Sequence, residues 1–197
     1  MNNYKKFNYK DLLEPFTMLR LYSSGAFPMA DDTGFINWYL PEVRAIIPLY
    51  NYNIPKSLKK DMNKFEYKFD SDFISVVENC ADRETTWITN ELIKAYLRLQ
   101  KMGHIHTVET WQNGELVGGL YGITFKGAFF GESMFSKTSQ ASKAALAKLI
   151  ERLNEKKFAL LDVQYITPHL KMFGAKEIDF DEFQKLLDIA YSGEFEF

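Results

Sequence analysis

Apolar residues at Leu12, Phe16, Leu19 and Tyr22 recur at helical spacing and predict a helix over 11–22, stopped by Ser23-Ser24-Gly25. A loop-rich aromatic stretch follows, with Phe35, Ile36, Trp38 and Tyr39 between turn residues, and it leads into the apolar run Ala45-Ile46-Ile47, which reads as a buried strand. Thr89 is placed to cap a second helix whose stripe is Leu92, Ile93, Tyr96 and Leu97, with Gly103 at its C-terminal stop. The strongest β pattern comes next. HIHTVETW, LVGGLYGITF and AFFGESMF are separated by the turns QNGE and KG and predict a three-stranded meander. Ser136 or Ser139 then opens a helix carrying Ala145, Leu146, Leu149, Ile150 and Leu153, broken at Glu155-Lys156-Lys157 before the strand FALLDVQYI.

Three strands, a helix and a returning strand make an α+β order, the order expected of a GNAT-like N-acyltransferase half. A CoA-dependent member of that class needs a glycine-rich loop before its central helix, so that backbone N–H groups can hold the pyrophosphate. The corresponding stretch here, QASKAALAKL, contains no glycine. That disfavours an acyl-CoA donor.

Composition adds limits. The chain has 197 residues, 46% hydrophobic and 16% aromatic, enough for a sizeable core in one compact unit or two small fused ones. No apolar run reaches membrane-spanning length, and the opening MNNYKKFNYKDLLEPF lacks the apolar core of a signal peptide, so a cytoplasmic protein is expected. Cys80 is the only cysteine, which excludes an internal disulfide. His104, His106 and His169 form no ligand pattern, and no metal or other cofactor is expected. The net charge of −2 gives no global attraction to nucleic acid. Lys56, Lys59, Lys60 and Lys64 nevertheless crowd into nine residues, as either a solvated helix face or a phosphate-binding patch.

Several blocks then occur in a fixed order: SSGAFPMADD (23–32), WYLPEVRAIIPL (38–49), ETTWIT (84–89), AYLRLQKMGHIHTVETW (95–111), LVGGLYG (116–122), GESMFS (131–136), ASKAAL (141–146) and LDVQYITPHLKMFGA (161–175). Over roughly residues 12–187 this pattern resembles the leucyl/phenylalanyl-tRNA–protein transferase family. The resemblance implies a GNAT-like catalytic domain (66–197) fused to a small, reduced N-terminal α/β domain (1–65). It implies transfer of Leu or Phe, less readily Met, from charged tRNA to proteins beginning with Arg or Lys, which creates an N-degron for proteolysis. Two departures stand out: a short segment ahead of SSGAFP, and Val163 and Thr167 where many members carry Cys and Asn.

Within that resemblance, strand periodicity puts Asp162 and Gln164 on one face and Leu161, Val163 and Tyr165 on the other. On the residues alone the polar pair would be an exposed sheet face. The motif implies catalysis; either Gln164 holds the acceptor amine and Asp162 orients Gln164, or a proton relay ends in the tRNA ribose hydroxyl. Glu132 is the expected partner of the acceptor's cationic side chain, or a carboxylate that caps a turn or faces water. Leu120, Phe129, Met134, Leu146 and Leu161 are the candidate pocket for the donor's side chain, or plain core. Tyr22, Trp87 and Tyr96 are candidates for stacking on the tRNA 3′ adenosine, or for interdomain packing. The lysine cluster becomes the candidate tRNA-backbone contact. A monomer with aminoacyl-tRNA and protein substrates, and no membrane, is the expectation. Two rivals remain: a GNAT-type small-molecule N-acyltransferase, and a non-catalytic module binding tRNA or protein N-termini.

Overall fold

The computed structural model describes residues 9–197; the first eight residues, part of the segment read above as lacking a leader, lie outside the described residues. A 3₁₀ turn (Tyr9–Leu13) precedes α1 (Pro15–Ser23), so the helix expected over 11–22 begins later than its apolar spacing suggests. The cause is Pro15, whose ring pushes Glu14 into extended backbone at ψ 137°. Gly25, at φ +90°, follows the helix as expected.

The hairpin β1 (Phe27–Ala30) and β2 (Ile36–Tyr39) forms its own two-stranded sheet. The chain continues through β3 (Val43–Ile47), α2 (Lys56–Met62), β4 (Glu66–Phe69), α3 (Phe73–Ala81) and α4 (Asn90–Lys101). Thr89 caps α4 by accepting the Leu92 N–H. The meander is β5 (Ile105–Gln112), β6 (Glu115–Phe125) and β7 (Ala128–Ser136), with Asn113 and Gly114 both at positive φ in the first turn. Then come α5 (Ala141–Glu155), β8 (Leu160–Gln164), the single turn α6 (Pro168–Lys171), β9 (Lys176–Asp179) and α7 (Phe180–Tyr191).

Seven strands form one sheet in the order β4-β5-β6-β7-β8-β3-β9. Every neighbouring pair is antiparallel except β7 and β8, which are parallel because α5 carries the chain across between them. The α+β order expected from the sequence is therefore present. The boundary expected at residue 65 does not separate the sheets, since β3 lies inside the large sheet between β8 and β9.

Two cores cover the two faces. On one, α1, α3 and α4 bury Tyr22, Val76, Tyr96, Tyr121 and Phe130; on the other, α5 buries Leu120, Phe129, Leu146, Leu149 and Leu161. Leu120 and Tyr121, adjacent on β6, thus belong to opposite faces. Helix α5 lies so close to β6 that a Cβ on Gly118 would stand 2.6 Å from the Ala141 Cβ.

Candidate active site

β7 and β8 stay paired only at Ala128↔Leu160, Phe129↔Leu161 and Phe130↔Asp162. Beyond that point two local irregularities force them apart. On β7, Gly131 pairs with Gly122 and Ser133 with Tyr121, so Glu132 is an extra, bulged residue. On β8, Gln164 takes φ +61°, and the Tyr165 N–H donates to the Val163 carbonyl at 2.7 Å, closing a three-residue turn. A cavity of about 570 Å³ occupies the resulting gap. Leu120, Leu146, Leu149, Leu161 and Val163 wall it on the α5 side, while Tyr121, Glu132, Ser133 and Arg83 line another wall.

Asp162 is completely buried, and its two oxygens receive Arg44 Nε at 2.9 Å and Nη2 at 2.6 Å. Arg44 is equally buried and lies over the Phe27 and Phe183 rings, 4.7 and 4.9 Å from their centroids. Such a forked ion pair fixes Asp162 in place. Asp162 Oδ1 also accepts the backbone N–H of Gln164 at 2.9 Å. This bond holds Gln164 in a left-handed conformation that costs a non-glycine residue roughly 1–3 kcal/mol.

The fixed backbone aims the Gln164 side chain at Glu132, where Nε2 donates to Oε1 at 3.1 Å. The other carboxylate oxygen accepts from the Tyr96 hydroxyl at 2.8 Å, and the Tyr22 and Tyr96 hydroxyls are 3.2 Å apart. Burial pushes the Glu132 carboxyl up to about 8, against the pull of the Tyr96 and Tyr22 hydrogen bonds; neighbouring Asp162 adds to the rise. The phenols of Tyr22 and Tyr96 are pushed upward chiefly by burial, so both are neutral donors at physiological pH. With Nε2 engaged, the amide oxygen of Gln164 is its remaining acceptor.

The structure joins Asp162, Gln164 and Glu132 in one buried network rather than on an exposed face. Leu120, Met134, Leu146 and Leu161 line the cavity. Phe129 does not: it is wholly buried in the core beneath, against Phe197. Tyr22 and Tyr96 are also wholly buried, with Trp38, Phe130 and Tyr121 against their rings, and in this arrangement offer no face to a base. Trp87 is half-buried, and its carbonyl accepts the Ala30 N–H. Lys56, Lys59, Lys60 and Lys64 are all exposed, although Lys64 lies past the end of α2 and pairs with Asp61. His104 and His106 bond within the fold, to Thr124 and Asp70, and no metal-binding cluster occurs among the described residues.

Sequence reasoning missed Arg44, whose signal was a lone cation inside the apolar strand VRAII. It also missed Leu149 and Tyr121 as lining residues, and Val163, read only as lying on the strand face away from Asp162, lines the cavity too. At the start of α5, the Ala141 N–H donates to the Thr138 carbonyl and the Ser142 N–H to Ser136 Oγ. Those two donors are used within the fold, which leaves fewer free N–H groups at this helix start for a pyrophosphate.

A family model described as leucyl/phenylalanyl-tRNA protein transferase matches residues 46–188, and the model of that family's N-terminal domain matches residues 11–42. A leucyl/phenylalanyl-tRNA–protein transferase from Salinibacter ruber (strain DSM 13855 / M31) is 46% identical over 180 residues, covering 90% of this chain and 80% of the relative. Among solved structures, the C-terminal (DUF2156) domain of a proposed lysylphosphatidylglycerol synthetase from Agrobacterium fabrum covers 90% of this chain and 57% of its own. It aligns with a TM-score of 0.46 at 10% identity.

Proposed function

The chain belongs to the leucyl/phenylalanyl-tRNA–protein transferase family, and from this premise we propose how its site divides the two substrates of aminoacyl transfer from tRNA to protein. The apolar side of the cavity takes the donor's Leu or Phe side chain. Leu120, Met134, Leu146, Leu149, Leu161 and Val163 supply shape without polar groups, so the site rejects polar side chains more strongly than it ranks apolar ones. Met134 adapts to either occupant through its flexible thioether. The acceptor's N-terminal Arg or Lys directs its side chain to Glu132, where an ionised carboxylate gains about 1.5–3 kcal/mol from a charge-assisted hydrogen bond.

Between the two halves lies Gln164. Its amide oxygen accepts an N–H of the neutral α-amine and aims the nitrogen lone pair at the ester carbonyl. The new C–N bond forms as the C–O bond to the tRNA ribose breaks, and the amine proton leaves with the departing ribose oxygen. A free α-amine has a pKa of about 7.7–8.0, so its neutral form is available without a strong protein base. Asp162 acts through Gln164. Bound by Arg44 and the Gln164 N–H, it is a positioning residue. Trp87 is the remaining candidate to stack on the 3′ adenosine. The product, a protein newly begun with Leu or Phe, is an N-degron.

The observation that carries this reading is the wedge between β7 and β8, with an apolar wall on one side and the Glu132–Gln164 pair at its junction. A non-catalytic module has no use for a strained Gln164 held by a buried ion pair. Among the described residues no helix is long and apolar enough to cross a membrane. A monomeric cytoplasmic enzyme is the working assignment. The test is transfer of radiolabelled Phe from its tRNA to an Arg-initiated peptide, with Gln164→Ala losing transfer while charged-tRNA binding persists. Full transfer by that variant would remove Gln164 from the mechanism.

A further inference from the structure

Tyr121 stands on β6 opposite Ser133, directly beside the Glu132 bulge. Its ring is held edge-on against Phe73 and Tyr96, with centroids 5.9 and 5.7 Å away, and the residue is completely buried. Yet among the described residues its hydroxyl has no hydrogen-bond partner, and Tyr121 lines the same cavity as Glu132. This differs from the two other phenols of the cluster, since Tyr22 and Tyr96 bond to one another and Tyr96 to Glu132. A buried hydroxyl left unpaired weakens the free protein, so a phenylalanine would pack there at lower cost. The hydroxyl therefore keeps its hydrogen-bonding capacity for a polar group brought to Glu132.

We propose that the Tyr121 hydroxyl is a binding residue for the acceptor's cationic side chain, its oxygen accepting one N–H of the Arg guanidinium or Lys ammonium while Glu132 accepts another. This rests on the reading that the acceptor's cation meets Glu132. The sheet itself separates the alternatives. Leu120 and the donor wall lie on the α5 face, whereas Tyr121 projects to the opposite face with Tyr96 and Phe73. An apolar donor side chain also has no N–H to give. Arg83, at the same wall, commits Nε to the Cys80 carbonyl at 2.6 Å and Nη2 to Ser133 Oγ and the Met134 carbonyl, and so leaves the phenol unclaimed. Both Arg and Lys carry at least three donors, enough for a carboxylate and a phenol together.

Tyr121→Phe deletes only the oxygen. Steady-state transfer with Arg- and Lys-initiated peptides should show an acceptor KM raised on the order of tenfold, as expected for a lost hydrogen bond to a charged group, with the KM for charged tRNA unchanged. Thermal unfolding of the free variant should occur no lower than in the parent, because no bond of the free protein is lost. A lowered Tm would overturn the proposal by showing a structural bond. So would an unchanged acceptor KM, including the case where only kcat falls because the hydroxyl serves the reacting carbonyl. Glu132→Gln, measured alongside, separates the two readings. If it raises acceptor KM and Tyr121→Phe does not, only the Tyr121 assignment fails; if neither does, the placement of the acceptor's cation fails with it.

Discussion

Glu132 combines two demands that oppose one another. Burial, with Asp162 nearby, favours the neutral acid against the hydrogen bonds from Tyr96 and Tyr22, yet pairing with a cation requires the carboxylate. Its carboxyl rises from the ordinary 4.5 to about 8 in the folded protein. Across that interval the native state holds a proton that the unfolded chain has lost, so this group's contribution to stability is full at low pH and disappears as pH rises towards 8. Acceptor binding runs the other way, since ionisation of Glu132 and deprotonation of the α-amine both favour the productive complex. Below pH 7 the acceptor's kcat/KM should therefore climb more steeply with pH in the parent than in Glu132→Gln, where only the amine titrates. The same substitution should flatten the decline of Tm between pH 4.5 and 8. Parallel profiles for the two proteins would show that Glu132 does not titrate in this range.

At this scale the sequence was legible wherever a motif named the residue. Asp162, Gln164 and Glu132 were singled out that way, but Arg44, which holds Asp162, was not. Arg44 is 118 positions from Asp162, and local spacing contains nothing that joins them. Tyr22 and Tyr96 were singled out with two readings left open, stacking on a base or packing, because an aromatic at a motif position looks alike whether it stacks on a base or supports a carboxylate. Only burial separates those roles.

Among the elements, those closed by local chemistry were the readable ones. Thr89 caps α4, Gly103 at φ +79° follows it, and Asn113-Gly114 turns the meander. α3, β9 and α7 were not identified, although Asp179 caps α7 by accepting the Glu182 N–H and was a usable signal. The place of β3 between β8 and β9 could not be read, because its strand partners lie more than a hundred residues away. The closeness of α5 to β6 was likewise hidden in an ordinary-looking Gly-Gly pair. A methyl group at Gly118 would meet Ala141 Cβ at 2.6 Å and its carbonyl carbon at 2.9 Å, so α5 must shift. Helix α5 also supplies Leu146 and Leu149 to the donor wall. Gly118→Ala should cost about 1–3 kcal/mol in urea unfolding and should raise the KM for charged tRNA at the same time. A stability loss with an unchanged donor KM would separate α5 from donor binding.

For the whole molecule the open question is how a chain of net charge −2 holds a polyanion. Counterion release depends on how many phosphates are neutralised locally, so a concentrated patch can act against an unfavourable total. The exposed lysines of α2 are placed for this, because Leu58 and Met62 on the same helix pack into the core beneath α5. Phosphate contacts made there would set the tRNA's position and leave the choice of amino acid to the cavity. Lys64 contributes less than the others, since Asp61 already neutralises it. Changing Lys56, Lys59, Lys60 and Lys64 together to Ala should therefore weaken binding of Leu- and Phe-charged tRNA equally. The slope of log affinity against log salt should flatten by about 2–3 units, corresponding to three effective contacts rather than four. Fluorescence titration at several salt concentrations measures both quantities. An unchanged slope would reduce the cluster to a solvated helix face and move the phosphate contacts elsewhere on the surface.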